Sequence, residues 1–144
     1  MKSLNTSLIK VLALVLVVGS LALPVFTQHD AQHDKLTPIG KQGAISFDSD
    51  VRIGGTLLKK GEYVIQRQVE GNDHVFVFKR GIRRYTEVTP GKEVARVKCK
   101  VEPLGEKAPH SGLRYGANAA GEKTVEEIHI KGEAVKHVFS AEGA

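Results

Sequence analysis

The chain has 144 residues, with 21 Lys and Arg against 16 Asp and Glu, a formal net charge of +5, no Trp and a single cysteine. One cysteine excludes an internal disulfide, so a domain of this length has to be held by an ordinary apolar core. A mild basic excess does not by itself imply a nucleic-acid partner, and none is expected.

The first 27 residues read as a secretory signal peptide. Lys2 and Lys10 precede the nearly uniform apolar run Val11–Leu23, and Pro24 follows. That run is shorter than the roughly 20 apolar residues needed to cross a bilayer, which favours a cleaved leader over a membrane anchor. Cleavage before Gln28 predicts a secreted or periplasmic chain with no transmembrane segment. Lys2 and Lys10 leave with the leader and all acidic residues stay, so the remaining chain carries +3.

Residues 28–42 are predicted to form a flexible polar arm, because they show neither helical nor strand periodicity and contain Pro38 and Gly40. The arm opens with QHDAQHDK, where His29 and His33 stand four apart, a metal-ligand spacing if the segment were helical. Nothing apolar supports a helix there. A cut after Phe26 would place His29 third and allow a square-planar Cu(II) or Ni(II) site. A cut after Thr27 does not.

Residues 43–144 are predicted to form one all-β domain, a small antiparallel barrel or sandwich of about seven to nine short strands. AISFD puts Ile45 and Phe47 on one face, and VRI and TLL flank Gly54-Gly55. EYVIQRQV places Tyr63, Ile65 and Val69 on one face, and Glu70-Gly71-Asn72-Asp73 turns the chain into HVFVFK, which gives a hairpin over 62–79. Thr89-Pro90-Gly91 reads as a corner. In EVARVKCKVE, Ala95, Val97, Cys99 and Val101 alternate with charged residues, so Cys99 is expected to point inward as a packed thiol. SGLRYG predicts a further short strand, and TVEEIHIKGEAVKHVF a closing hairpin around Lys131-Gly132-Glu133.

The segment 51–80 contains Leu58-Lys59-Lys60-Gly61-Glu62-Tyr63 and ends near Phe78-Lys79. It resembles a segment of small exported bacterial β-rich proteins of unknown function that share a Leu-x-x-Gly-x-Tyr hairpin. Lys59 stands where that pattern usually has proline. The resemblance implies a β-corner, with Gly61 making the turn and Tyr63 packing behind it, and it implies no catalytic residue.

Chemistry-bearing patterns are sparse. No nucleophile elbow, Cys/His pair or phosphate-binding glycine loop is present, and Glu126 and Glu127, adjacent on a strand, face opposite ways. No enzyme activity and no cofactor are expected. The densest charge is KRGIRRY, where Lys79, Arg80, Arg83 and Arg84 surround Gly81 and Ile82 and Tyr85 supplies an aromatic face. Forked arginine donors beside an aromatic face suit an anionic polymer or an envelope component, and Lys98 and Lys100 would extend the patch. The bland alternative is a charged edge that resists sheet-to-sheet aggregation. The leading expectation is therefore a non-enzymatic binding or envelope-associated module. The other is a metal-dependent enzyme with a cupin-like site built from His74, His129 and His137.

Overall fold

The structure, a computed structural model, describes residues 36–140. The expected signal peptide, most of the polar arm, and His29 and His33 lie outside the described residues. Ten strands follow in order: β1 (Thr37–Pro38), β2 (Ala44–Phe47), β3 (Val51–Ile53), β4 (Thr56–Leu58), β5 (Gly61–Glu70), β6 (Asp73–Arg84), β7 (Glu87–Pro103), β8 (Gly112–Ala117), β9 (Lys123–His129) and β10 (Val135–Val138). Eight of them form one path, β1-β8-β9-β10-β7-β6-β5-β2, with antiparallel neighbours throughout. β1 and β2, at the two ends of this path, are consecutive in sequence. A single 3-10 turn at Lys41–Gly43 joins them and draws the sheet into a nearly closed barrel.

The expected all-β architecture is thus a barrel. Its interior collects Ile45, Phe47, Tyr63, Ile65, Phe76, Phe78, Val97, Leu113, Val125 and Ile128. The β3–β4 hairpin lies off the main path and adds Val51, Ile53 and Leu58 to the same core. It touches the wall through one parallel rung, Arg52 to Thr124. Gly61 (φ 142°) turns the chain into β5. Tyr63 is buried behind that turn, its ring 5.4 Å from that of Phe47 and its hydroxyl donating to the Lys59 carbonyl. Among the described residues, no helix is long and apolar enough to cross a membrane.

Several expectations change. The strands are not uniformly short, since β6 has 12 residues and β7 has 17. Thr89-Pro90-Gly91 is not a corner but lies within β7, opposite Ile82 and Gly81, and the reversal comes at Tyr85-Thr86. Register shifts between Phe78 and Gly81 let β7 carry extra residues there, and a bulged ladder tolerates a proline that has no N–H to give. The polar arm expected over 28–42 is structured in its described part. Thr37 and Pro38 pair with Leu113 and Gly112, and Ile39 packs on the core. Val69 and Val101 have core parity yet are 59% and 40% exposed, because their strands run past the end of the packed interior.

The outer face of β6 is also dry. Val75 and Val77 are fully buried there, and Arg96 of β7 reaches across β6 to Gln68 and Glu70 of β5. The long side chain lies over the two valines and keeps its charged head wet.

Closure depends on Gly43. Its φ is 80°, and a Cβ there would stand 2.2 Å from the Ile65 carbonyl oxygen. Gly43→Ala combines a left-handed backbone penalty with a clash against main chain, so it should lower unfolding free energy by about 2–4 kcal/mol. Urea denaturation checks this, with Gly71→Ala, a positive-φ site with open space around it, as the milder comparison.

Candidate functional site

The basic residues singled out in the sequence sit where β6 and β7 outrun β5. The last rung between β5 and β6 is Tyr63 to Arg80. Beyond it, Gly81–Arg84 pairs only with Pro90–Glu87, so the hairpin continues as a two-stranded ribbon over the barrel rim. Glycine is needed at its root, because a Cβ on Gly81 would stand 2.7 Å from Val88 and 3.0 Å from Glu62.

The five candidates differ in how free their charge is. Lys79 is partly buried at the ribbon's base. Arg80 places its guanidinium 4.9 Å from the Tyr63 ring centre and donates to the Lys60 carbonyl at 3.4 Å. Arg83 forks onto Glu62, with Nε 2.8 Å and 3.0 Å from the two carboxylate oxygens. That hydrogen bonding holds the Glu62 carboxyl below its ordinary range and spends most of the Arg83 charge locally. Arg84 is exposed and has no ion-pair partner among the described residues. Tyr85 is 100% exposed at the tip. With Lys92, residues 79–92 hold five basic residues against one acidic residue, Glu87.

Tyr85 also has a positive φ, 55°, at the first position of its two-residue turn. In the β5–β6 hairpin, Gly71 (φ 62°) occupies the same position. An L-residue pays about 1–2 kcal/mol in this region and glycine does not. Lys98 and Lys100 do not extend the patch. Lys98 pairs with Asp73 at 2.7 Å, at the opposite end of β6.

That opposite end carries a second polar group, pointing inward. His74 and Cys99 are directly opposed across β6 and β7, and His137 of β10, opposite Val101, lies diagonally from Cys99. The Cys99 Sγ lies 3.5 Å from the His74 carbonyl oxygen and 3.7 Å from His137 Nδ1. His137 is fully buried, with Nε2 3.3 Å from a Glu133 carboxylate oxygen and 3.4 Å from an Arg67 nitrogen. Arg67 in turn bonds Glu133 at 2.8 Å. Burial raises the Cys99 thiol to about 11, so it stays protonated at neutral pH, as its inward position in β7 led one to expect. Beside this cluster, a cavity of about 260 Å³ opens under the 3-10 turn, lined by Ile39, Ile65, Arg67, Phe76 and Ile128.

The three histidines of the metal-site expectation do not meet. His74 and His137 have ring centres 5.6 Å apart. His129 lies on the other face of its strand, 3.1 Å from Glu127. Glu127 is itself only 4% exposed. Burial pushes its carboxyl up, but hydrogen bonds from Lys136 and His129 and the charge of Arg114 outweigh this and hold it below the ordinary range. Among the described residues, no three His, Cys, Asp or Glu side chains are set to hold a metal ion. Arg67 and Glu133 are the members that sequence reasoning missed. Strand parity does put Arg67 inward with Tyr63 and Ile65, whereas Glu133 arrives from a turn that no periodicity describes.

His137 gives the cluster a pH signature. Burial lowers its imidazole below the ordinary histidine range, Glu133 pulls the other way, and Arg67 and His74 add to the lowering. A base depressed in the fold stays neutral there while the unfolded chain takes up the proton. Its share of stability is therefore complete above its unfolded value, about 6.5, and is lost as pH falls through the lower folded value. The urea midpoint should drop between about pH 7.5 and about pH 5.5, and His137→Gln should flatten that slope.

Comparison with protein-family models, with curated proteins and with solved structures finds no match for the chain.

Proposed function

We propose that this is a non-enzymatic exported binding domain, secreted or periplasmic, that contacts an anionic polymer or envelope component through the β6–β7 ribbon. The observation that carries this reading is Tyr85. It is wholly exposed, on a backbone conformation suited to glycine, at the tip of an overhanging ribbon rich in Arg and Lys. Strain kept at an exposed site that packs against nothing points to use of the side chain. A charged edge protecting against aggregation needs no aromatic residue at such a position. Arg84 and Arg80 supply the exposed charge, and Tyr85 supplies a flat face for a sugar ring or an acyl boundary. No specific observation favours the metal-dependent enzyme built on His74, His129 and His137.

Retention on immobilised heparin in low salt tests the reading. Arg84→Glu should weaken binding about tenfold, Arg80→Glu by a similar factor, and Arg83→Glu less, because Glu62 already holds Arg83. Glu62→Gln should strengthen retention by freeing that arginine. Equal retention of wild type, Arg80→Glu and Arg84→Glu, with circular dichroism unchanged, would reject the ribbon as the contact.

Tyr85→Gly separates fold from function. It should keep stability or raise it by up to about 1 kcal/mol, since glycine relieves the positive φ at some cost in chain entropy. Retention should nevertheless fall. A Tyr85→Gly protein that is more stable and binds as well as wild type would show that the tyrosine has no part in binding.

A further inference from the structure

We propose that the cavity under the 3-10 turn binds a small neutral amphiphile, a chain of about eight carbons ended by an uncharged carbonyl group. The site is separate from the ribbon. Arg67, which lines it, stands opposite Phe76 in the β5–β6 ladder, whereas the ribbon begins past the rung of Tyr63 and Arg80. Barrel mouths with apolar walls and a few polar groups are where small ligands are commonly held. Here Ile39, Ile65, Phe76, Ile128 and Ile130 form the walls. Ile39 and Ile130 are only partly buried and pack against the core from its rim, which leaves apolar surface for a guest. An enclosed apolar cavity of about 150 Å³ takes a benzene ring. The 260 Å³ here suits a chain of about eight carbons and is too small for a long fatty acyl chain.

Three polar side chains, Arg67, Gln42 and Ser111, also line the cavity. Gln42 lies in the 3-10 turn with φ 58°, a left-handed conformation that is costly for any residue but glycine. Its side chain is exposed and makes no hydrogen bond to another described residue, so the turn itself draws nothing from it. Strain kept at such a residue points to use of the side chain. The Ser111 Oγ accepts from the Lys131 N–H at 3.0 Å, which leaves its O–H to donate. Arg67 turns Nη1 to Glu133 and His137, and its other N–H groups have no partner among the described residues. Each of the three therefore has a donor to give.

Charge selects the head group. Arg67 and Glu133, 2.8 Å apart, cancel each other. A carboxylate would enter against Glu133 and an ammonium against Arg67, each with a charge to desolvate. A carbonyl oxygen accepts from the same donors and brings no charge.

The test is calorimetric titration of the full chain with hexanamide, octanamide and decanamide, beside octanoate and octylamine. Octanamide should bind at one site, and hexanamide about 15-fold more weakly, at about fourfold per buried CH₂. Decanamide should gain nothing further, because the cavity is full. Octanoate and octylamine should bind at least about tenfold more weakly than octanamide. Gln42→Gly, which relieves the positive φ and leaves the walls intact, should weaken octanamide binding about fivefold, as should Ser111→Ala. Ile130→Phe should abolish binding by filling the mouth, with circular dichroism unchanged. In the wild-type protein, which needs no variant to fold, octanamide should shift the methyl resonances of Ile39, Ile65, Ile128 and Ile130. The methyls of Ile82, on the ribbon, should stay in place. No saturable binding up to about 1 mM octanamide would overturn the proposal. So would octanoate binding as tightly as octanamide, a further gain with decanamide, or shifts at Ile82 instead of the cavity isoleucines.

Discussion

The ladder between β6 and β7 is the constraint on which the rest of the molecule depends. It is the longest pairing in the barrel, running from His74 opposite Cys99 to Arg84 opposite Glu87. One end supplies two members of the inward polar row, and the other leaves the barrel as the cationic ribbon. Between them the register shifts at Phe78–Gly81 admit Pro90 and leave Val94 46% exposed, so the faces of β7 are reassigned part way along. A regular ladder would bring the core alternation of Ala95 and Val97 out into the ribbon. The bulges end the core side cleanly and let the two strands continue where no third strand covers them.

Local signals carried most of the fold. The hairpins at Gly54-Gly55, Gly71-Asn72 and Lys131-Gly132 were readable because turn glycines flank runs with period-2 alternation. Proline misled, because Pro90 next to Gly91 has the same composition as a turn while occupying a bulged strand. Thr37–Pro38 went unread for a different reason, since two residues cannot display alternation, and only pairing with Leu113 and Gly112 makes them a strand. Alternation also names a face without saying where the packed interior stops, and so Val69 and Val101 were assigned to a core that ends before them. The basic cluster was visible as composition. That Glu62 captures Arg83, 21 positions away, and leaves Arg84 exposed was not.

Charges outside the ribbon are mostly consumed in pairs across neighbouring strands. Lys98 meets Asp73, Arg96 meets Glu70 and Glu93, and Lys136 meets Glu127. The exposed pairs among these, of Lys98 and Arg96, contribute little stability, on the order of 0–1 kcal/mol each. Their larger consequence is to leave the wall of the barrel electrically quiet. Against that background the ribbon stands out by what it lacks, with Glu87 the only acidic residue among five basic ones over 79–92. A modest net charge on the whole chain therefore hides an uneven distribution.

The inward polar end has the opposite character, because solvent cannot explain it. Phe76 and Phe139 pack against each other at 5.6 Å, and Phe76 packs edge-on to His137 at 5.1 Å. An aliphatic or aromatic side chain at 137 would continue that stack without desolvating an imidazole. The buried imidazole instead meets the Glu133 carboxylate and the Arg67 guanidinium at the same nitrogen, and Arg67 and Glu133 are paired with each other. Replacing such a network with apolar residues of similar volume is often neutral or stabilising in proteins, so its presence is not explained by the needs of the core. Partial satisfaction makes the point sharper. Cys99 has only a long contact to each neighbour, and His74 Nδ1 has no partner among the described residues. A purely structural network closes its hydrogen bonds. This one meets Glu133 on one side of His137 and leaves His74 Nδ1 without a partner among the described residues.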